Sequence, residues 1–374
     1  MLNHNLVKTS YSTEDVEVLL KDLSGQMTPI ATEEREKLIQ GGTHYSEMLP
    51  LEYEPTPEYM EIYNQSLNSL SHKTALAVAS ICETLEDMHG ENLVLISLAR
   101  AGTPVGILMR RYFKMKYGYD IPHYSISIIR GKGIDNNAME YIYSKHGKTC
   151  GVTHFQFVDG WTGKGAISRQ LEDAVKELEA LDSKWVGLSP ELAVLADPAN
   201  MTKLCGTHED FLIPSACLNS TVSGLFSRTV MNDKLINVND GDFHGAVYYG
   251  NLVEVDKSNE FIDTVTEFFK CIKLKDLRDC TEDTKVEITG LEETKRIAEE
   301  FEIDDINLVK PSVGETTRVL LRRVPWRVLV DNTNGTTGLE HILKLCEDKD
   351  IPVEFRKLIN YKAIGIIKNM SADA

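Results

Sequence analysis

The chain has 374 residues, with 57 acidic side chains against 40 basic ones and a formal net charge of -17. That charge excludes nonspecific nucleic-acid binding by the whole surface, and the length exceeds what one small core organises, so two domains are expected. No run of about eighteen apolar residues occurs, and Met1–Ser10 lacks the apolar stretch of a signal peptide, so no membrane span and a cytoplasmic location are expected.

In chain order, residues 11–70 read as a polar helical extension, with Tyr11-Ser12-Thr13-Glu14-Asp15 as a capped start and Thr43–Pro50 as an interruption that reaches toward the site. Ser71–Met88 has apolar residues at helical spacing. Leu93–Leu98 is too apolar to face water on either side and reads as a buried strand. Arg100-Ala101-Gly102 follows, then a helix over Ile107–Lys116. Tyr124–Ile129 reads as a strand that leads into the basic, glycine-hinged Arg130-Gly131-Lys132-Gly133. A third strand, at 153–158, ends in Asp159, and a helix begins at Ala166. Between them, Thr162, Gly163, Lys164 and Gly165 would point backbone N–H groups and a helix dipole at one spot, as an anion cradle does. The nucleotide P-loop does not fit, because Val158 stands where its first glycine belongs and Gly165 where its Ser or Thr belongs. With a strand at 192–196, the alternation predicts an α/β fold with a parallel sheet.

Residues 197–250 break this rhythm with loops that complete a pocket, and Asp197, Asn219 and Arg228 are its candidate polar residues. A helix at 260–270 closes a first domain spanning 1–270. Residues 271–284 form a joint, and 285–374 form a small αβα domain whose arginines cluster near 318–327. Cysteines at 82, 150, 205, 217, 271, 280 and 346 are odd in number and lack CxxC spacing, which favours a reducing compartment over disulfides or structural zinc.

The Val158–Gly165 stretch, preceded by the Arg100–Gly102 loop, resembles the ribose-phosphate and pyrophosphate loops of phosphoribosyltransferases. That resemblance implies transfer of ribose 5-phosphate from phosphoribosyl diphosphate to a nitrogenous base acceptor. Thr162–Gly165 and Arg100–Gly102 would bind that substrate. Asp159 would be catalytic and hold Mg2+, and Arg130 and Lys132 would be catalytic on a closing loop. Gly160 stands where the family has a second acid, so a catalytically idle nucleotide or phosphoribosyl sensor is the alternative. Gly314–Arg318, Arg322-Arg323, Trp326–Val330 and Leu345–Val353 resemble the Pelota-type RNA-binding domain. This implies contact with a structured RNA through Glu315, Thr316, Thr317, Arg318, Arg322 and Arg323.

Together the two resemblances are similar to a group tied to tellurite-resistance stress operons, some of whose members carry the label cysteine protease StiP. A protease needs a thiolate beside a histidine, and that alternative rests on Cys217 with His208 or His244. A metal site at Cys205, His208 and Cys217 is weaker, since no paired ligand spacing repeats.

Overall fold

The computed structural model describes residues 5–147, 153–280, 286–333 and 335–369. Cys150, the end of the joint and the last five residues lie outside these. The core of the first unit is a five-stranded, all-parallel sheet of β1 (Glu17–Val18), β2 (Leu93–Leu98), β3 (His123–Ile126), β4 (His154–Trp161) and β5 (Leu192–Ala196). The strands lie in the order β1-β3-β2-β4-β5. Every residue of β2 is buried. Leu93 and Leu95 face one apolar cluster with the helices Pro57–His89 and Gly102–Tyr117. Val94, Ile96 and Leu98 face another, with residues from Asn136–His146 and Ala166–Leu181. A strand with a helical layer on each face must be apolar on both, as its sequence is.

The first seventy residues correct the expected helical extension. Glu17–Val18 pairs parallel with Tyr124–Ser125, Lys21–Asp22 with Gly245–Ala246, and Pro29–Ile30 with Leu49–Pro50. Helix is confined there to Thr32–Gln40 and the run starting at Pro57. The reason is local. Ser12 does cap a turn, its Oγ accepting the Glu14 N–H at 3.1 Å, but Val16, Val18 and Leu20 alternate onto one core while Leu19 faces the other. The expected helix at 71–88 is the second half of the 33-residue helix Pro57–His89.

The second unit is a mixed sheet of β6 (Val309–Pro311), β7 (Pro325–Asp331), β8 (Val353–Arg356) and β9 (Ala363–Ile367), in the order β6-β9-β7-β8. Its helices are Gly290–Glu300, Val313–Arg322 and Glu340–Asp348, the first held by a Thr289/Glu292 capping box. Just before β6, Ile306–Leu308 is a 3-10 turn capped by Asp305.

The chain is thus a mixed α/β protein with a parallel-sheet core and a small C-terminal domain, and the two are firmly joined. Buried Asp210 accepts the Val313 N–H at 2.9 and 3.1 Å and the Lys362 N–H at 2.9 Å. Val313, Leu320, Leu339 and Ile342 of the second unit belong to the same apolar cluster as Leu212, Ile213 and Ala216 of the first. Among the described residues no helix is long and apolar enough to cross a membrane.

Candidate active site

At the carboxyl edge of the sheet, β2 and β4 end side by side where the strand order reverses, the usual place for a ligand in such sheets. A Cβ on Gly102 would sit 2.2 Å from the Val158 carbonyl oxygen, so only glycine lets the helix start touch β4. Ala101, Asp159, Thr162, Gly163, Lys164 and Gly165 line a cavity of about 240 Å³. Asp159 Oδ1 accepts the Gly160 N–H at 2.7 Å. Burial pushes its carboxyl up to about 7, and that hydrogen bond pulls it partly back.

Lys164 does not point at an anion seat. Its Nζ donates to the carbonyls of Ile306 (2.6 Å) and Val309 (3.1 Å), while the Tyr361 hydroxyl donates to the Gly163 carbonyl at 2.6 Å. The lysine that was to seat a phosphate instead pins the second unit.

The other expected residues divide among separate places. Arg100, Asn219 and Arg228 line a larger cavity with Arg318 and Arg322. The Arg130 N–H goes to the Tyr45 hydroxyl at 2.9 Å and its carbonyl accepts from His44 Nε2 at 3.1 Å, while Lys132 pairs with Glu47 at 3.3 Å. The Thr43–Pro50 segment therefore holds this basic turn in place. Thr316 and Thr317 are buried. Arg318 reaches Glu315 at 3.3 Å and Asn219 at 3.5 Å, and Arg322 donates to the Tyr59 hydroxyl at 2.8 Å and the Cys217 carbonyl at 3.1 Å. Most of the face expected to meet RNA thus turns onto the first unit, and Arg323 is the exposed member.

Cys217 ends a short helical turn, Pro214–Cys217, and is fully buried. Its sulfur lies 3.5 Å from Ser66 Oγ, and burial pushes the thiol up to about 12. Neither expected partner bonds to it. His244 bonds to Ser127 Oγ at 2.8 Å, and His208 belongs to another group. Asp197 also leaves the expected pocket with Asn219 and Arg228. Its Oδ2 folds back to accept the N–H groups of Met201 and Thr202, each at 2.7 Å.

That other group is the most chemically organised in the molecule. Residues 204–207 run beside β5, with Val194 N–H to the Leu204 carbonyl and Gly206 N–H to the Val194 carbonyl, both at 3.0 Å. A Cβ on Gly206 would lie 2.4 Å from the Ala77 carbonyl oxygen, so the loop seats directly on the long helix. His208 Nδ1 is 2.8 Å from the Asp197 carbonyl, which can only accept. Nδ1 therefore carries the proton and Nε2 is unprotonated; Cys205 Sγ lies 3.4 Å from Nε2 and 3.6 Å from Nδ1, beside the ring rather than along the Nε2 lone pair. Arg278 Nη1 donates to the same sulfur at 3.1 Å and to the Cys205 carbonyl at 3.3 Å. Burial pushes the Cys205 thiol up to about 11, against the pull of Arg278.

Asp197, Cys205 and His208 also form the one group among the described residues able to hold a metal, their ligand atoms within 4.8 Å of one another. With a guanidinium already on the sulfur, the arrangement fits thiol chemistry better than a bound cation. One signal of this pair is readable from the chain, the Cys205-Gly206-Thr207-His208 spacing. Arg278, inside the expected joint, gave none.

Fold and site together define a parallel-sheet α/β protein with a cysteine and an imidazole held in contact. The chain belongs to the StiP family: residues 9–266 match the family described as tellurite-like stress resistance cysteine protease StiP. It is also 34% identical, over 374 residues covering 96% of this chain and 94% of the relative, to cysteine protease StiP of Acinetobacter baylyi (strain ATCC 33305 / BD413 / ADP1). Residues 288–369 match the PELOTA RNA binding domain. No solved structure matches.

These findings overturn the expectation of phosphoribosyl transfer, and with it phosphoribosyl diphosphate and a nitrogenous base as partners, because family and relative alike are named cysteine proteases. The engagement of Lys164 by Ile306 and Val309 points the same way. The Mg2+ expected at Asp159 was tied to that reaction, and the other carboxylate lining its cavity, Glu315, is paired with Arg318.

Proposed function

We propose that the chain is a cysteine peptidase in which Cys205 is the nucleophile and His208 the general base. One observation carries this reading: the imidazole tautomer fixed by the Asp197 carbonyl leaves Nε2 unprotonated and 3.4 Å from the sulfur, where a turn of the ring brings its lone pair onto the S–H. No other cysteine among the described residues has an imidazole partner. His208 takes the S–H proton as sulfur adds to a peptide carbonyl carbon. The C–N bond then breaks, the amine leaves with that proton, and water hydrolyses the thioester to regenerate the thiol. Arg278 steadies the negative sulfur in between. The resting form is closed, since Cys205 has no exposed surface and Arg278 lies on its sulfur. A peptide meets the nucleophile only when the segment carrying Arg278 withdraws.

The test is hydrolysis of unfolded casein by full-length protein. Cys205→Ser and His208→Ala should each lose more than about a thousandfold in rate, with Cys217→Ser close to wild type. Full activity in Cys205→Ser, or loss confined to Cys217→Ser, refutes the assignment.

A further inference from the structure

The larger cavity, about 680 Å³, opens where the two units meet and takes no part in the thiol chemistry. Arg35, Arg100 and Arg228 of the first unit face Lys310, Arg318 and Arg322 of the second across it, with Arg323 at its edge. Three carboxylates share the lining, Glu52, Glu54 and Glu315. Two of them are already engaged, Glu52 by the Ser220 N–H and hydroxyl and Glu315 by Arg318. Seven cations and three acids thus line the cavity, and two of the cations, Arg35 and Arg323, have partners of their own.

Several of these cations form no ion pair among the described residues. The Arg228 guanidinium lies over the Tyr45 ring at 4.6 Å and makes no hydrogen bond or ion pair among the described residues. Burial pushes its guanidinium down to about 10, and Arg35, Arg100 and Arg130 add repulsion. The Lys310 ammonium likewise makes no hydrogen bond or ion pair among the described residues; burial lowers it, Glu315 partly restores it, and Arg323, Arg130 and Arg318 lower it further. Arg322 is fixed by Tyr59 and Cys217 through two of its nitrogens, while Nη1 is buried with no partner. Burying like charges together costs free energy that a bound anion would return.

We propose that this cavity is a binding site for a nucleoside triphosphate, held between the two units. Its volume is in the range of small-molecule sites, and the planar guanidinium fork matches phosphate oxygens in pairs. A triphosphate brings about four negative charges to a lining in which cations outnumber acids. Tyr53, 65% exposed at the mouth, offers a ring for a base. The assignment is independent of the Cys205 chemistry.

The experiment is thermal-shift and calorimetric titration of the full-length protein with ATP, GTP, adenosine and inorganic triphosphate at low and high salt. ATP or GTP should raise the Tm and bind in the micromolar range, weakening with salt, while adenosine does nothing. The Arg228→Gln/Lys310→Met variant should bind at least about tenfold more weakly yet be no less stable without ligand. Arg318→Gln, more exposed, is the second variant should the first not fold, and it should also weaken binding. No response to any nucleotide at millimolar concentration overturns the proposal, as does undiminished binding in folded variants. A stem-loop RNA that binds more tightly than the nucleotides and is lost in the same variants overturns it too, in favour of a polymer.

Discussion

Replacing Asp159 by Asn should stabilise the protein above neutral pH and leave it unchanged in acid. The side chain is only 9% exposed, and burial raises its carboxyl from an ordinary 3.8 to about 7. The folded state thus holds this proton more tightly than the unfolded chain does. The stability it contributes is complete below about pH 4 and is lost as pH rises through 7. A shift of that size corresponds to about 4 kcal/mol. Water entering the cavity of about 240 Å³ beside the carboxylate screens much of it, which leaves about 1–2 kcal/mol as the net effect. Asparagine keeps the acceptor used by the Gly160 N–H and carries no charge. Thermal unfolding of both proteins from pH 4.5 to 8.5 is the assay. The variant's Tm should exceed wild type by about 1–3 °C at pH 8, with the gap closing toward pH 4.5. A gap that does not change with pH, or a variant less stable at pH 8, would show that Asp159 is compensated by charge in the folded protein.

Three further outcomes follow from the same geometry. Tyr361→Phe removes the hydroxyl bond to the Gly163 carbonyl and should cost about 1 kcal/mol in urea unfolding. Gly206→Ala places a Cβ against the Ala77 carbonyl, so it should lose at least about 2 kcal/mol and much of the casein activity as the Cys205 loop lifts. With its thiol pushed up to about 11, Cys205 should be alkylated about tenfold faster per pH unit from neutral to pH 10, read by mass spectrometry of its peptide. A plateau below pH 8 would mean a preformed thiolate instead.

The parallel core was legible because its strands carry their burial in their composition. Leu93–Leu98 has no polar residue wide enough to need water, and the structure covers both its faces. The N-terminal region misled because charged residues flank a capping sequence, while the deciding pattern is only Val16, Val18 and Leu20. The glycine-rich loop after Asp159 was placed correctly at a helix start, but the fate of Lys164 was set by Ile306 and Val309, more than 140 residues on. The same limit hid the Cys205 site. The spacing to His208 stands in the sequence, whereas the tautomer and the guanidinium on the sulfur depend on Asp197 and Arg278, which only the tertiary fold brings there.

The Asp210 clasp has a consequence for how the molecule comes apart. One carboxylate takes N–H groups from the helix start at Val313 and from Lys362, while Lys164 and Tyr361 tie the same face from the other side. Connection along the chain is therefore not what keeps the halves together. Severing the backbone within 271–285 would leave two fragments clasped like subunits of a dimer. Heat should then melt them in one cooperative transition, with no stage at which the C-terminal unit survives alone.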